Sequence, residues 1–241
     1  MKPTNHNECL ICGDSLTYSE HAREMKCLLC GRLEKSNCSC LQGHYICNQC
    51  HSKGMENIIA VCLQEESMDP VGILTRLMKL PFCHTHGPEH HVLVGAALLT
   101  ACHNAGKQFN LQQALQEMLE RGKSVPGGAC GFWGACGAGI STGMAVSILL
   151  EATPLSRGEW KLANGMTSKA LRNISSVNGP RCCKRDSFFA LQAAIDFLQE
   201  HLGIKLNRQD IICFFSNRNN QCLGGECPFN ILNAKKENKG K

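Results

Sequence analysis

The sequence predicts a mainly α protein in two parts: a small N-terminal module held by paired cysteines, then an all-α helical domain. Three observations carry this. Of 18 cysteines, eight fall between Cys9 and Cys50, in pairs, within a segment that has little apolar periodicity. From residue 52 onward, apolar residues recur at helical spacing between recognisable caps and stops. Aromatic residues make up only 5% of the chain while glycine appears 23 times, so helix packing must rely on aliphatic, alanine and glycine contacts.

The module occupies 1–51. Its ligand string is Cys9-x2-Cys12, Cys27-x2-Cys30, Cys38-x-Cys40 and Cys47-x2-Cys50, with His44 between the last two pairs. A C-x2-C turn aims two sulfurs at one ion, and two such turns close a tetrahedral zinc site. Gly13 and Gly31 follow the first two pairs directly, as tight metal-binding turns prefer. Four pairs predict two Zn²⁺ sites, paired either sequentially or, as the favoured treble-clef or cross-brace-like order, interleaved with pairs one and three on one ion and two and four on the other. His44 can stand in for Cys38 or Cys40. Eight thiols in about fifty residues leave no room for an apolar core, so metal must supply the folding energy. Binding of two Zn²⁺ by eight thiolates lowers the formal charge of +5 to about +1. Acidic and basic residues are mixed through the module, which argues against nucleic acid and leaves a protein partner as its expected contact.

Residues 52–80 read as connecting helices. Ser52 caps a helix through Cys62 and Leu63, and Asp69-Pro70 is an N-cap and N1 pair for a helix to Leu80. The cysteine-rich helical domain spans 81–231. Gly87-Pro88 opens HHVLVGAALLTACHNAG, which stops at Gly106. Asn110 caps LQQALQEMLERG, ending at Gly122. One long helix is expected from Ala129 to Glu151, and Ser156 caps another over Trp160 to Ile174. After Gly179-Pro180, SFFALQAAIDFLQEHLG has helical spacing and ends at Gly203. DIICFFS (210–216) reads as a short strand or buried turn, and the lysine-rich tail 232–241 as disordered. The N-terminal MKPTNHNEC has no apolar core for an export signal, and the glycine-rich run 135–150 is short for a membrane span. The chain therefore reads as cytoplasmic, with its cysteines kept as thiols, metal ligands or redox groups.

Four motifs carry chemistry in the helical domain. In CHTHGPEHH (83–91), Glu89 with His86 or His90 can move a proton; the alternative is a polar helix cap. In PGGACGFWGACGAG (126–139), small residues admit a close neighbour, and Cys130 at a helix start is expected to have a lowered pKa. In GPRCCKRD (179–186), Arg181, Lys184 and Arg185 favour thiolates at Cys182 and Cys183, or hold an anionic substrate group. The fourth begins at Cys213 and ends in Cys222-x4-Cys227-Pro228, a glycine-bearing loop suited to an iron–sulfur cluster or a further zinc. Cys130, Cys136, Cys182, Cys183, Cys222 and Cys227 are expected to converge, binding a [4Fe-4S] cluster through three or four thiols. Cys62 and Cys102 lie on apolar helix patterns and read as buried thiols.

As a set, CLICG, CLLCG, GHYICNQCH, HGPEHH, PGGACGFWGACGAGISTG, GPRCCKR and C-x4-C-P resemble a prokaryotic family of unknown function found mainly in anaerobes. The GGACGFWGACG segment is also similar to cysteine segments of iron–sulfur serine dehydratases and cysteine desulfidases. That similarity implies an open cluster iron acting as a Lewis acid in a helical domain. The functional expectation is an anaerobic lyase, desulfidase or sulfur-transfer enzyme for a small anionic or sulfur-containing substrate. The alternative is a non-catalytic metal or redox sensor, or adaptor.

Overall fold

The structure, a computed structural model, describes residues 9, 11–12, 14–51 and 53–233. The N-terminal stretch, Gly13, the Ser52 cap and the tail beyond residue 233 lie outside the described residues. The architecture is mainly helical, with an N-terminal cysteine module in front of a helical domain.

Where the sequence reads as turns, the module forms a hairpin, β1 (Leu16–Lys26) and β2 (Leu33–Cys40). The strands pair antiparallel from Leu16↔Cys40 to Lys26↔Leu33, with an irregularity between Tyr18 and Arg23. Asn37 Nδ2 fills it, donating to the Ser19 and Glu20 carbonyls at 2.8 and 3.2 Å. Both strands are polar, β1 largely exposed and β2 mostly half-buried, so no period-2 apolar pattern announced them. Cysteines at both ends of the hairpin take the place of a buried face: Cys27 follows β1 and Cys40 ends β2. A short helix α1 (Asn48–His51) then carries Cys50.

The helical domain begins with α2 (Asn57–Leu63) and α3 (Pro70–Leu77). Asp69 caps α3 by accepting from the Val71 and Gly72 N–H groups at 3.0 and 3.1 Å. At the centre lies α4 (His90–Asn104), buried on nearly every face, as a helix apolar all round must be. It packs against α3, α5 (Leu111–Ser124), α7 (Gly137–Leu149) and α9 (Cys183–Leu202). Asn110 Oδ1 caps α5 from the Gln113 N–H at 3.0 Å. α8 (Gly158–Ile174) lies across α7 and α9. Helix α7 presses on α8 so closely that a Cβ at Gly143 would lie 1.8 Å from Thr167 Oγ1 and 2.8 Å from the Ala163 carbonyl.

The single helix expected over 129–151 is broken. A short α6 (Ala129–Phe132) ends, Gly134 takes φ +64°, and α7 restarts at Gly137. Gly134 has no Cβ to resist the left-handed turn, and the break turns the segment around Cys130 and Cys136. Ser156 closes a turn with Thr153 instead of capping α8. DIICFFS is neither a full strand nor a plain turn: Cys213 makes one parallel bridge with Asn230. Phe229 seats this C-terminal loop on α9, its ring 4.7 Å from Phe189 and 5.6 Å from Phe188. Among the described residues no helix is long and apolar enough to cross a membrane.

Candidate metal centres and cleft

The hairpin brings the N-terminal ligands into two interleaved tetrads. Cys9, Cys12, Cys40 and His44 have ligand atoms all within 4.8 Å of one another, and so have Cys27, Cys30, Cys47 and Cys50. Zn–S bonds of about 2.3 Å place tetrahedral sulfurs about 3.8 Å apart. Cys12 and Cys40 stand at 3.9 Å and Cys30 and Cys47 at 3.7 Å, so the donors fit a zinc-sized ion. His44 Nδ1 lies 3.2 Å from Cys12 Sγ and takes the place beside Cys40. Cys38 stays outside both tetrads.

Backbone donors already face these sulfurs. The Ile11, His44 and Cys47 N–H groups donate to Cys9, Cys40 and Cys27 at 3.4, 3.2 and 3.4 Å. Burial opposes ionisation of Cys27, but the N–H groups of Cys47, Cys30 and Leu29 prevail and bring it down to about 6. Cys50 is pushed up to about 12, first by burial and then by Cys30, Cys47 and Cys27. Crowded thiols without a cation spread their ionisation apart; a dication would let all ionise together.

The six thiols expected in one pocket divide into two sets, back to back across the start of α9. Cys182, its N-cap, faces the C-terminal loop, where it lines a small pocket with Cys213, Cys222 and Cys227. Backbone N–H groups of Arg185, Phe215 and Phe229 reach Cys182, Cys213 and Cys227, and the Gly224 N–H donates to Cys222 at 3.4 Å. Asn219 Nδ2 adds a bond to Cys182 at 3.4 Å. Among the described residues only the N-terminal tetrads draw four ligand atoms within 4.8 Å, so this set is more widely spaced. Cys213 belongs here although the motif reading centred on Cys222 and Cys227. Its signal was its place in the same cysteine-bearing loop.

Cys183, one residue on, faces the other way. With Cys38, Cys130 and Arg181 it lines a groove of about 330 Å³. Cys130, Cys136, Arg181 and Asp186 line an adjoining cleft of about 560 Å³. The hairpin supplies part of the wall through Tyr18 and Cys38. Arg181 is held in place: it donates to Tyr18 Oη at 2.7 Å and Gln221 Oε1 at 3.0 Å, and its guanidinium lies over the Tyr18 ring.

Two expectations about charge are overturned. Cys130 is not acidified by its helix start; burial raises it. Cys182 is pushed up to about 11 and Cys183 well above its usual value, burial leading in both. The neighbouring cations are committed elsewhere. Lys184, wholly buried, donates to Cys83 Sγ at 3.1 Å and lies over the Phe215 ring. Arg185 pairs with Asp186 at 3.0 Å and donates to the Pro180 carbonyl. Of the three, only Arg181 lines both the groove and the cleft; Arg185, bound to Asp186, lines the cleft and the C-terminal pocket but not the groove. Cys136, pushed up to about 12 by burial and then by Asp186, donates toward Asp186 Oδ2 at 4.0 Å.

In the histidine motif, His86 lines the groove and its Nε2 stands 3.1 Å from Asn219 Oδ1. His90 is buried, with Nδ1 3.0 Å from the Gly87 carbonyl. Glu89 is buried too and accepts the His84 backbone N–H at 2.7 Å. Burial would raise its pKa, but a hydrogen bond from the His84 side chain and the charges of the His90, His51 and His84 imidazoles hold it at about 2.

Neither the curated proteins nor the solved structures give a match to this chain. A family described as "Family of unknown function (DUF5714)" matches residues 58–230, from α2 to the end of the C-terminal cysteine loop, leaving the tetrads outside. With cysteine and histidine groups able to hold metal ions, and most of its length covered by that match, the chain belongs to this family of unknown function.

Proposed function

We propose that the protein is an iron–sulfur metalloprotein that transfers sulfur to or from a small anionic substrate. Zinc in the two N-terminal tetrads holds the module as one wall of the cleft. Cys182, Cys213, Cys222 and Cys227 hold a [4Fe-4S] cluster, which supplies redox or structural chemistry when bound. The observation that carries this reading is that four cysteines line one small pocket, each sulfur reached by a backbone N–H, and that the set is spaced more widely than the N-terminal tetrads. Four thiolates close such a cluster, so the open iron of the dehydratase-like expectation has no support from this set.

Chemistry then falls to the cleft. Arg181 binds the anionic group of the substrate, and Cys136, Cys130 and Cys183 present thiols. In a redox-neutral transfer from a persulfide, Cys136 gives its proton to Asp186 and its sulfur attacks the outer sulfur. The S–S bond breaks, and the departing thiolate takes the proton. The products are a free thiol and a Cys136 persulfide.

Anaerobic purification followed by iron, zinc and acid-labile sulfide analysis tests the cluster. Iron and sulfide in equal amounts, lost in Cys182→Ser and Cys222→Ser while the tetrad zinc remains, are expected. Zinc at all sites with no sulfide would replace this reading with that of a non-catalytic metal-binding adaptor.

A further inference from the structure

The end of the N-terminal module meets the histidine motif around Glu89, at a junction that belongs to none of the thiol sets. His51, the residue after Cys50, closes α1; His84 and Glu89 come from the turn that leads into α4. Each offers a ligand atom within 4.8 Å of the other two. His51 Nδ1 lies 3.7 Å from Glu89 Oε2, His84 Nδ1 lies 3.4 Å from Oε1, and the two rings are 4.3 Å apart.

The carboxylate is fully buried, and its two oxygens differ. Oε1 accepts the His84 backbone N–H. Oε2 has no hydrogen-bond partner, and neither has His51 Nδ1. A buried oxygen and nitrogen left open toward each other are costly, and 3.7 Å is too long for a hydrogen bond between them. A cation between them would satisfy both. The backbone also makes room for the carboxylate: a Cβ at Gly87 would stand 2.1 Å from Oε2. Glycine in HGPEHH is thereby explained as space for this side chain.

A second grouping, Cys83, Glu89 and His90, is weaker, because the Lys184 ammonium already lies on Cys83 Sγ. On the His51 side, Glu89 Oε2 and His51 Nδ1 carry no hydrogen bond among the described residues. His51 also lines the groove of about 330 Å³ together with His86 and His91, so an ion held there would be reached by small molecules.

We propose that His51, His84 and Glu89 bind a divalent transition-metal ion, separate from the thiolate centres, with coordination positions open to the groove. Two imidazoles and a carboxylate suit borderline ions such as Zn²⁺ or Fe²⁺, and three protein ligands leave places for water or a substrate oxygen. The ion would also tie α1 of the module to the entry of α4. This site does not depend on the iron–sulfur reading.

Co²⁺ titration of the full-length, zinc-loaded protein under anaerobic conditions tests it. Cobalt at a nitrogen–oxygen site gives weak visible bands without the intense sulfur-to-metal charge-transfer absorption of thiolate sites. The wild type should bind about one equivalent of this kind. Glu89→Gln and His51→Gln should each lose it, while tetrad zinc, iron and sulfide, measured in the same samples, stay unchanged. Because Glu89→Gln alters a buried group and can prevent folding, the partly exposed His51→Gln decides the matter. Uptake of sulfur-free cobalt by His51→Gln at the wild-type level, or none by the wild type, overturns the proposal.

Discussion

In the module the buried apolar cluster is Cys27, Tyr45, Cys47 and Cys50, three of them in a tetrad that could hold a metal ion. In the helical domain it is a continuous cluster of aliphatic, alanine and phenylalanine side chains from Met55 to Phe229. One region has a metal-shaped interior and the other a hydrophobic one. On the proposed zinc reading, the difference means that stability along this chain comes from two independent sources, and each should fail on its own.

The sharpest way to break that contrast is to remove one tetrad ligand. Cys47→Ser should cost most of the metal-linked folding energy, about 10–16 kcal/mol for structural zinc at neutral pH. Zinc content should fall and the hairpin become open to proteolysis, while the far-ultraviolet helical signal persists. A protease-resistant hairpin with lost zinc would show that the module does not depend on metal. The reverse experiment targets the helix contact. Gly143→Ala drives a methyl into Thr167 and the Ala163 carbonyl, and should destabilise the helical domain by about 1–3 kcal/mol. A lower melting temperature with unchanged tetrad zinc is the expected result. Smallest is Asn110→Ala, which removes the α5 cap and should cost about 1 kcal/mol in denaturant unfolding, again without touching the metal.

The same contrast governs what could be read in advance. Helix limits were legible where a side chain makes the boundary: Asp69 and Asn110 cap as their types predict, and Gly203 ends α9 with φ +66°. The interleaved cysteine spacing matched the tetrads because ligand spacing is local chemistry, and His44 was within that reading. The hairpin was hidden because LTYSEHAREMK is largely exposed and LEKSNCSC, though half-buried, has no alternating apolar face. The break at Gly134 was hidden because glycine in so glycine-rich a segment signals close packing as readily as a turn. Least legible was the parting of Cys182 from Cys183. Neighbouring residues at a helix start point in different directions, and only the packing of the C-terminal loop on Phe188 and Phe189 decides which sulfur meets which partners. The charges around them misled for a related reason: Lys184 and Arg185 are adjacent in sequence but spend their protons on Cys83 and Asp186.

Arg181 reaches across from the start of α9 to Tyr18 on the hairpin, and Cys38 stands on the same wall. On the proposed zinc reading, a cleft built in this way has this side only once the two amino-terminal tetrads are filled. Metal loading of the tetrads would then act as an assembly checkpoint: a chain starved of metal at one end would still fold its helices, yet offer an incomplete chamber at the other.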